Sequence, residues 1–429
     1  MNYPDSVRFL YSLSNEARTA ELGLARMMAL LDALDNPHRR TRFVHVAGTN
    51  GKGSTCAMIE SGARCAGLRT GLYTSPHLVE PTERIRLDGR PVSPEDFAAA
   101  FDRVHQTAEE LIRQGAFERH PTYFETVTAM AFVLFAQFQV ELAVLEVGLG
   151  GRLDATNVVR PRLAVITPID FDHEKYLGKS LEAIAAEKAG ILKPGAPAVF
   201  AAQRAEVTPV LAAHATAAGI RPIWVVQRWR AEQIELNAAG SSFTAAGPGR
   251  IRIECPLPGE HQIGNALTAI AALEELGAPE EAISAGIRRV RWPGRLERVR
   301  TRPEIYLDGA HNPAGARALA AYIERFYSGR RVWLIYGAMR DKAVAEMAGI
   351  LFPLAGEVIA TAPAQPRAVR PELIGELADH PRLRTADTLV AALELLREAT
   401  PEDVVFVTGS LFLVGEARAL LAPDSSAAA

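Results

Sequence analysis

At roughly 150 residues per domain, a chain of 429 residues holds two or three folded units and is not a single small module. Apolar residues at 48% and charged residues at 23% exclude a disordered chain. Forty-seven Lys and Arg against fifty Asp and Glu leave a net charge of -3, which excludes the basic footprint of a nucleic-acid binder and makes any anion site local.

Met1 to Leu10 holds no apolar signal region, and no run of about 20 apolar residues is available to span a bilayer. The nearest candidate, Thr128 to Val147, is interrupted by Gln137, Gln139 and Glu141 and reads as a helix followed by a strand. An amphipathic helix is expected over Leu22–Leu34, ending at Asn36-Pro37, followed by a strand over Phe43–Ala47. The glycine-rich run Gly48–Thr55 then leads into a helix over Cys56–Ala66. Buried parallel strands are expected at Thr70–Thr74, Leu142–Val147 and Leu163–Ile169, and a helix at Leu181–Leu192. Between Pro194 and Pro258 the pattern weakens into strands and turns. A helix over Asn265–Leu276 and the turn Trp292–Arg295 close the first unit, placing a boundary between 296 and 297. A second series follows, with strands at Ile305–Leu307, Val332–Tyr336, Val358–Thr361 and Val404–Thr408, and a frayed tail at Asp424–Ala429. Strand–loop–helix repetition throughout makes the fold class α/β, a mostly parallel sheet domain joined to a smaller doubly wound one. Cys56, Cys65 and Cys255 are too few and too dispersed for a disulfide framework or a CxxC zinc site, and point to a reduced, cytoplasmic setting.

The glycine-rich turn between a strand and a helix offers successive backbone N–H groups and a helix N-terminus, a natural phosphate cradle to which Lys52 adds a charge. The strict G-x-x-x-x-G-K-[ST] pattern does not match, because Val46 stands at the first glycine position and Gly53 follows the lysine. The alternative for such a turn is a tight strand-to-helix connection. Position favours phosphate: Lys52, Ser75, Glu146 and His173 lie at or just after the carboxyl ends of four expected strands, which share one edge in an open parallel sheet. Ser75 and Glu146 supply hard oxygens suited to Mg2+ carried by ATP. His173 is a softer donor and reads equally as a hydrogen-bonded structural histidine. Lys188, taken alone, is a solvated helix lysine. The pair Tyr123-Phe124, taken alone, is core packing, and His311 stands evenly between site residue and turn residue.

Five segments in order, His45–Ser54, Tyr73–Leu78, Glu146–Asn157, Glu187–Ile191 and Asp308–Pro313, resemble the folylpolyglutamate synthase and dihydrofolate synthase family of the Mur ligase superfamily. The non-standard loop is expected there, since this family uses Gly-Lys-Gly-Ser/Thr. The resemblance implies a P-loop NTPase-like domain followed by a Rossmann-like one, and an ATP-dependent ligase joining L-glutamate to a pteroate or folate carboxylate. It implies that Asn50, Gly51, Lys52, Gly53 and Ser54 hold the triphosphate and that Ser75, Glu146 and His173 bind Mg2+. Lys188 corresponds to a carbamylated lysine, and Asn265, Arg295 and Asp308 to nucleotide contacts. Thr122, Tyr123, Phe124 and Glu125, with Leu153, Asp154 and Ala155, match the pterin-binding segments. Gly150–Asn157, together with Tyr123-Phe124-Glu125, resembles the bifunctional bacterial members, and a monomer is expected, with no nucleic-acid or membrane partner.

The chemistry so implied is activation of a carboxylate by the γ-phosphate of ATP, with Lys52, Lys188 and His173 as its catalytic residues. A rival with the same chemistry is a peptidoglycan Mur ligase, disfavoured because only 47 residues precede Gly48. A rival of another class is an ATP-gated binding protein that performs no ligation.

Overall fold

The computed structural model describes residues 1–13 and 23–422. Strand β1, Arg42–Ala47, is the axis of its first sheet. Val44 and Val46 enter one apolar cluster and Phe43 the opposite one, the two-residue alternation of a strand buried on both faces. The other strands of this sheet are β2 (Thr70–Tyr73), β3 (Ile85–Leu87), β4 (Arg90–Pro91), β5 (Leu142–Glu146), β6 (Leu163–Ile166), β7 (Ala198–Phe200) and β8 (Pro222–Trp224). Their order is β4-β3-β2-β5-β1-β6-β7-β8, parallel except for the β2/β3 and β3/β4 pairs. Helices Lys52–Cys65, His261–Glu275 and Glu280–Arg289 cover one face. Helices Pro94–Arg113, Tyr123–Gln137, Leu181–Ala189 and Thr208–Ala217 cover the other.

Where the pattern weakened, β9 (Arg230–Asn237), β10 (Gly240–Ala246) and β11 (Arg250–Cys255) form an antiparallel three-stranded sheet. Along β11, Ile251, Ile253 and Cys255 are buried in the first core while Arg250, Arg252 and Glu254 face outward, so the sheet caps one face of the domain. The second large sheet comprises β12 (Glu297–Thr301), β13 (Glu304–Leu307), β14 (Val332–Tyr336), β15 (Glu357–Thr361), β16 (Leu383–Ala386) and β17 (Val404–Thr408), in the order β12-β13-β17-β14-β15-β16. Only the β12/β13 pair is antiparallel, and apolar clusters lie on both faces.

Element boundaries shift for identifiable reasons. The helix after β1 begins at Lys52 instead of Cys56, because Gly51 takes the left-handed conformation (φ 79°) at its N-cap and turns the chain directly into the helix. Strand β6 stops at Ile166 instead of Ile169, since Pro168 has no N–H for the ladder. The helix expected to reach Leu192 ends at Ala189, with Gly190 as its cap. The helix expected over Leu22–Leu34 spans Ala25–Ala33; Leu22 and the tail Asp424–Ala429 lie outside the described residues. Among the described residues no helix is long and apolar enough to cross a membrane.

Candidate active site

Because β2, β5, β1 and β6 are adjacent in that order, the segments leaving their carboxyl ends emerge on one edge. Ser75 follows β2, Glu146 ends β5, the Gly48–Ser54 turn follows β1, and Pro168–His173 follows β6. All contribute to one cavity of about 500 Å3 between the two large sheets. The four groups placed on one sheet edge from sequence are therefore neighbours in space.

The turn is fastened to β6: the N–H groups of Thr49 and Asn50 both donate to the Pro168 carbonyl, at 3.0 and 3.1 Å. A side chain on Gly51 would drive its Cβ to 2.2 Å from Asn265 Oδ1, so only glycine allows the close approach of loop and helix His261–Glu275. Lys52 Nζ donates to the Thr49 carbonyl at 3.0 Å, folding its ammonium over the turn. Asn265 donates to Gln262 Oε1 at 2.9 Å, and Gln262 in turn donates to Ser54 Oγ at 3.3 Å. The expected triphosphate-binding residues and Asn265 thus form one connected wall.

Glu146 is buried at the cavity wall and accepts the Ser75 N–H at 3.1 Å. Burial raises its pKa, against the lowering pull of Lys52, the Ser75 N–H and Arg295. His173 caps a short helix, Glu174–Leu177, in a left-handed conformation, and burial lowers its pKa to about 4, leaving a neutral ring.

Lys188 is not the solvated lysine its sequence context suggested. It is 5% exposed and donates to the Gly48 carbonyl at 2.8 Å. The reason is close helix-to-loop packing: Gly151 and Gly190 have no side chains, so the Gly151–Arg152 turn lies directly against the end of helix Leu181–Ala189 and presses Lys188 inward. Burial, reinforced by the nearby Lys52 charge, lowers its pKa to about 7.

The second sheet supplies the facing wall. Arg295, Asp308 and His311 line the cavity. Asp308 accepts the N–H groups of Leu296 and Ala310, both at 3.0 Å, bracing the loop that carries His311. His311 is therefore a cavity residue as well as a turn residue.

The expected pterin-binding segments lie beside this cavity and do not line it. Thr122 and Glu125 cap helix Tyr123–Gln137 reciprocally, at 3.2 and 2.8 Å, and Glu125 also binds Arg26 at 2.8 Å. Tyr123 stacks on Tyr11 at 5.8 Å and lies 5.0 Å beneath the Arg84 guanidinium. Phe124 packs against Tyr73 and fills the space where Gly148, a cavity residue, has no side chain. Asp154 accepts both the Gly148 and Leu149 N–H groups at 2.9 Å; Ala155 is buried in the core, and Leu153 is partly exposed between Arg152 and Asp154.

Sequence reasoning missed the polar junction between the two walls. Asp172 pairs with Lys342 at 2.6 Å and lies 3.6 Å from His311 Nε2, while Asn312 donates to Asn50 Oδ1 at 2.9 Å and to Asp172 Oδ2 at 3.4 Å. Burial alone would raise the Asp172 pKa; the His311 hydrogen bond and the Lys342 charge outweigh it and hold the carboxyl well below the usual range. Asp172 stands next to His173 and was open to notice. Lys342 carried no signal.

The chain matches the Mur ligase middle domain over residues 92–273 and the Mur ligase glutamate ligase domain over residues 294–411. It is 36% identical to the dihydrofolate synthase/folylpolyglutamate synthase of Mycobacterium tuberculosis, across 94% of this chain and 90% of that protein. The structure of Mycobacterium tuberculosis folylpolyglutamate synthase complexed with ADP superimposes with a TM-score of 0.92 at 34% identity, covering 98% of each chain. E. coli FolC in complex with DHPP and ADP superimposes with a TM-score of 0.88 at 30% identity, covering 99% of each chain. With both domain models matched in order and more than a third of its residues shared with a relative along nearly the whole chain, the chain belongs to the dihydrofolate synthase/folylpolyglutamate synthase family of Mur-type ligases.

Proposed function

We infer that the protein is an ATP-dependent ligase that joins the amino group of L-glutamate to the carboxylate of dihydropteroate and of folyl(poly)glutamates. The observation that carries this reading is the meeting of Lys52, Ser75, Glu146 and His173 at one cavity closed by a second domain. A carboxylate is a poor electrophile, so its oxygen must first take the γ-phosphoryl group as an acyl phosphate; the glutamate amine then attacks the acyl carbon and phosphate leaves. In this scheme Lys52 and the N–H groups of the turn neutralise charge on the phosphates, which is most of what phosphoryl transfer asks of a protein. Closure of the Asp308–His311 loop over the site shields the acyl phosphate from water. The division at 296/297 then separates a nucleotide-binding unit from a closing unit.

The donor set fits a divalent cation. Glu146 is a buried carboxylate whose ionised form a cation would favour, Ser75 offers a hydroxyl, and His173 a neutral ring whose Nε2 lies 3.5 Å from Lys342 Nζ and would have to give up that contact to bind a cation through it. Mg2+ bound there supplies charge neutralisation at the phosphates. Lys188 fits carbamylation: with a pKa of about 7, roughly half its amines are neutral at pH 7, and a neutral amine adds to CO2, loses a proton to solvent and becomes an anion facing the cavity. Arg295, Asp308 and Asn265 are the proposed nucleotide contacts, and the Thr122–Glu125 and Leu153–Ala155 segments the proposed pterin contacts.

The test is incubation with Mg-ATP and labelled glutamate, with dihydropteroate or a reduced folate in parallel arms, counting glutamates in each product. Ligation in both arms is expected. Phosphate release that ignores glutamate in both arms would replace the ligase reading with an ATP-gated switch.

A further inference from the structure

On the far side of the first domain, helix Pro94–Arg113 carries His105 and Glu109 one helical turn apart, and the segment leaving that helix brings His120 back against them. One nitrogen from each ring and one Glu109 oxygen lie within 4.8 Å of one another. His120 Nε2 is 2.8 Å from Glu109 Oε1. The imidazoles stack at 5.1 Å, 19° from parallel. Phe9 packs edge-on against both rings at 4.6 and 5.3 Å, and Phe101 stacks on His105 at 5.3 Å. Nδ1 of each ring is buried with no hydrogen-bond partner. Two histidines with unmet polar atoms, clamped by phenylalanines and facing one carboxylate, are poorly explained as packing alone, since buried polar groups are ordinarily satisfied.

We propose that His105, Glu109 and His120 form a binding site for a divalent transition-metal ion, Zn2+ foremost, separate from the catalytic cavity. Two imidazoles and a carboxylate are a donor set that Zn2+ accepts and that Mg2+, a hard ion preferring oxygen, does not. Metal–ligand bonds of about 2.0–2.1 Å place tetrahedral ligands roughly 3.3 Å apart, so the cluster must contract slightly. Glu109, with 47% of its side chain exposed, is free to make that adjustment. The clamped rings give up little rotamer freedom on binding. A bound ion ties helix Pro94–Arg113 to the segment that ends two residues later at Thr122, the N-cap of helix Tyr123–Gln137. Its role is thus a structural tether, independent of the ligase reading.

The full-length protein, stripped with chelator and returned to excess Mg2+, is titrated with Zn2+ by equilibrium dialysis and, in parallel, with Co2+ by visible absorption. One Zn2+ per chain is expected, together with a Co2+ spectrum of a tetrahedral nitrogen–oxygen site and a higher unfolding temperature when Zn2+ is present. His105→Ala and Glu109→Gln should each weaken binding at least about 10-fold and abolish the thermal shift. Glu109→Gln removes a partly exposed charge, so it remains informative if His105→Ala fails to fold. His173→Ala should bind the ion as the unmodified protein does. No stoichiometric binding, equal binding in Glu109→Gln, or loss in His173→Ala would each overturn the assignment.

Discussion

The two walls of the catalytic cavity are built on different principles. The first is backbone: a glycine-rich turn hydrogen-bonded to the neighbouring strand segment, and side chains delivered by four adjacent strands of one sheet. Its geometry follows from sheet register and survives as long as the domain is folded. At the cavity the second is held against the first by polar contacts, Lys342 with Asp172, His311 with Asp172, and Asn312 with Asn50 and Asp172, while beside it Leu78 packs into the apolar cluster of the second sheet and Arg317 pairs with Asp170. Interdomain contacts of this kind permit relative motion by default. The first wall is therefore suited to holding charge, and the second to opening and closing over it.

That contrast is sharpened most by Lys52→Ala. Losing a preorganised charge donor costs about 100 to 1,000-fold in rate, so kcat should fall by at least that much while unfolding temperature barely moves. Near-normal turnover would remove Lys52 from the first wall's chemistry. At the junction, Lys342→Met and Asp172→Asn should each lower kcat/KM by at least about 30-fold, the weak end for truncating a buried ion pair. A double-mutant cycle in which the two losses simply add would show that the pair does not couple the walls.

The third prediction concerns Lys188, whose folded pKa is lowered to about 7. The neutral amine is the folded-state majority only above that pH. From pH 6 to pH 8 its neutral fraction rises from roughly one tenth to roughly nine tenths. With bicarbonate limiting, mass spectrometry under mild conditions should show a gain of one CO2 that rises over this window and is absent in Lys188→Arg. A gain of CO2 that falls with rising pH would contradict the mechanism. The smallest effect is expected away from both walls. Tyr11→Phe keeps the stack on Tyr123 and removes only the exposed hydroxyl contact with His77, so stability by denaturant titration should change by no more than about 0.5 kcal/mol.

Much of the first wall was legible in the sequence. Short apolar runs closed by polar residues mark strands buried on both faces, and in a parallel sheet their carboxyl ends share an edge. Lys52, Ser75, Glu146 and His173 accordingly share that edge on sequence grounds alone, and all four line the cavity. Lys188 was not, because a helical lysine is ordinarily solvated; its burial depends on Gly151 and Gly190 letting a loop reach the helix end. The pterin-segment residues were identified by likeness alone, and the structure adds that Thr122 and Glu125 already serve a helix cap while Asp154 braces the Gly148–Leu149 turn.

The sequence by itself determined what is local or periodic: the α/β class, the glycine-rich strand-to-helix turn and the residues at the strand ends. Those follow from backbone geometry, hydrophobic alternation and the conformational freedom of glycine, all of which act over a few residues. Only the tertiary structure decided that Lys188 is buried, that His311 faces the cavity, and that Asp172 meets Lys342 from the far domain. Such pairings join positions with no fixed spacing along the chain. They arise from how two separately folded sheets dock, which no local pattern of residues encodes.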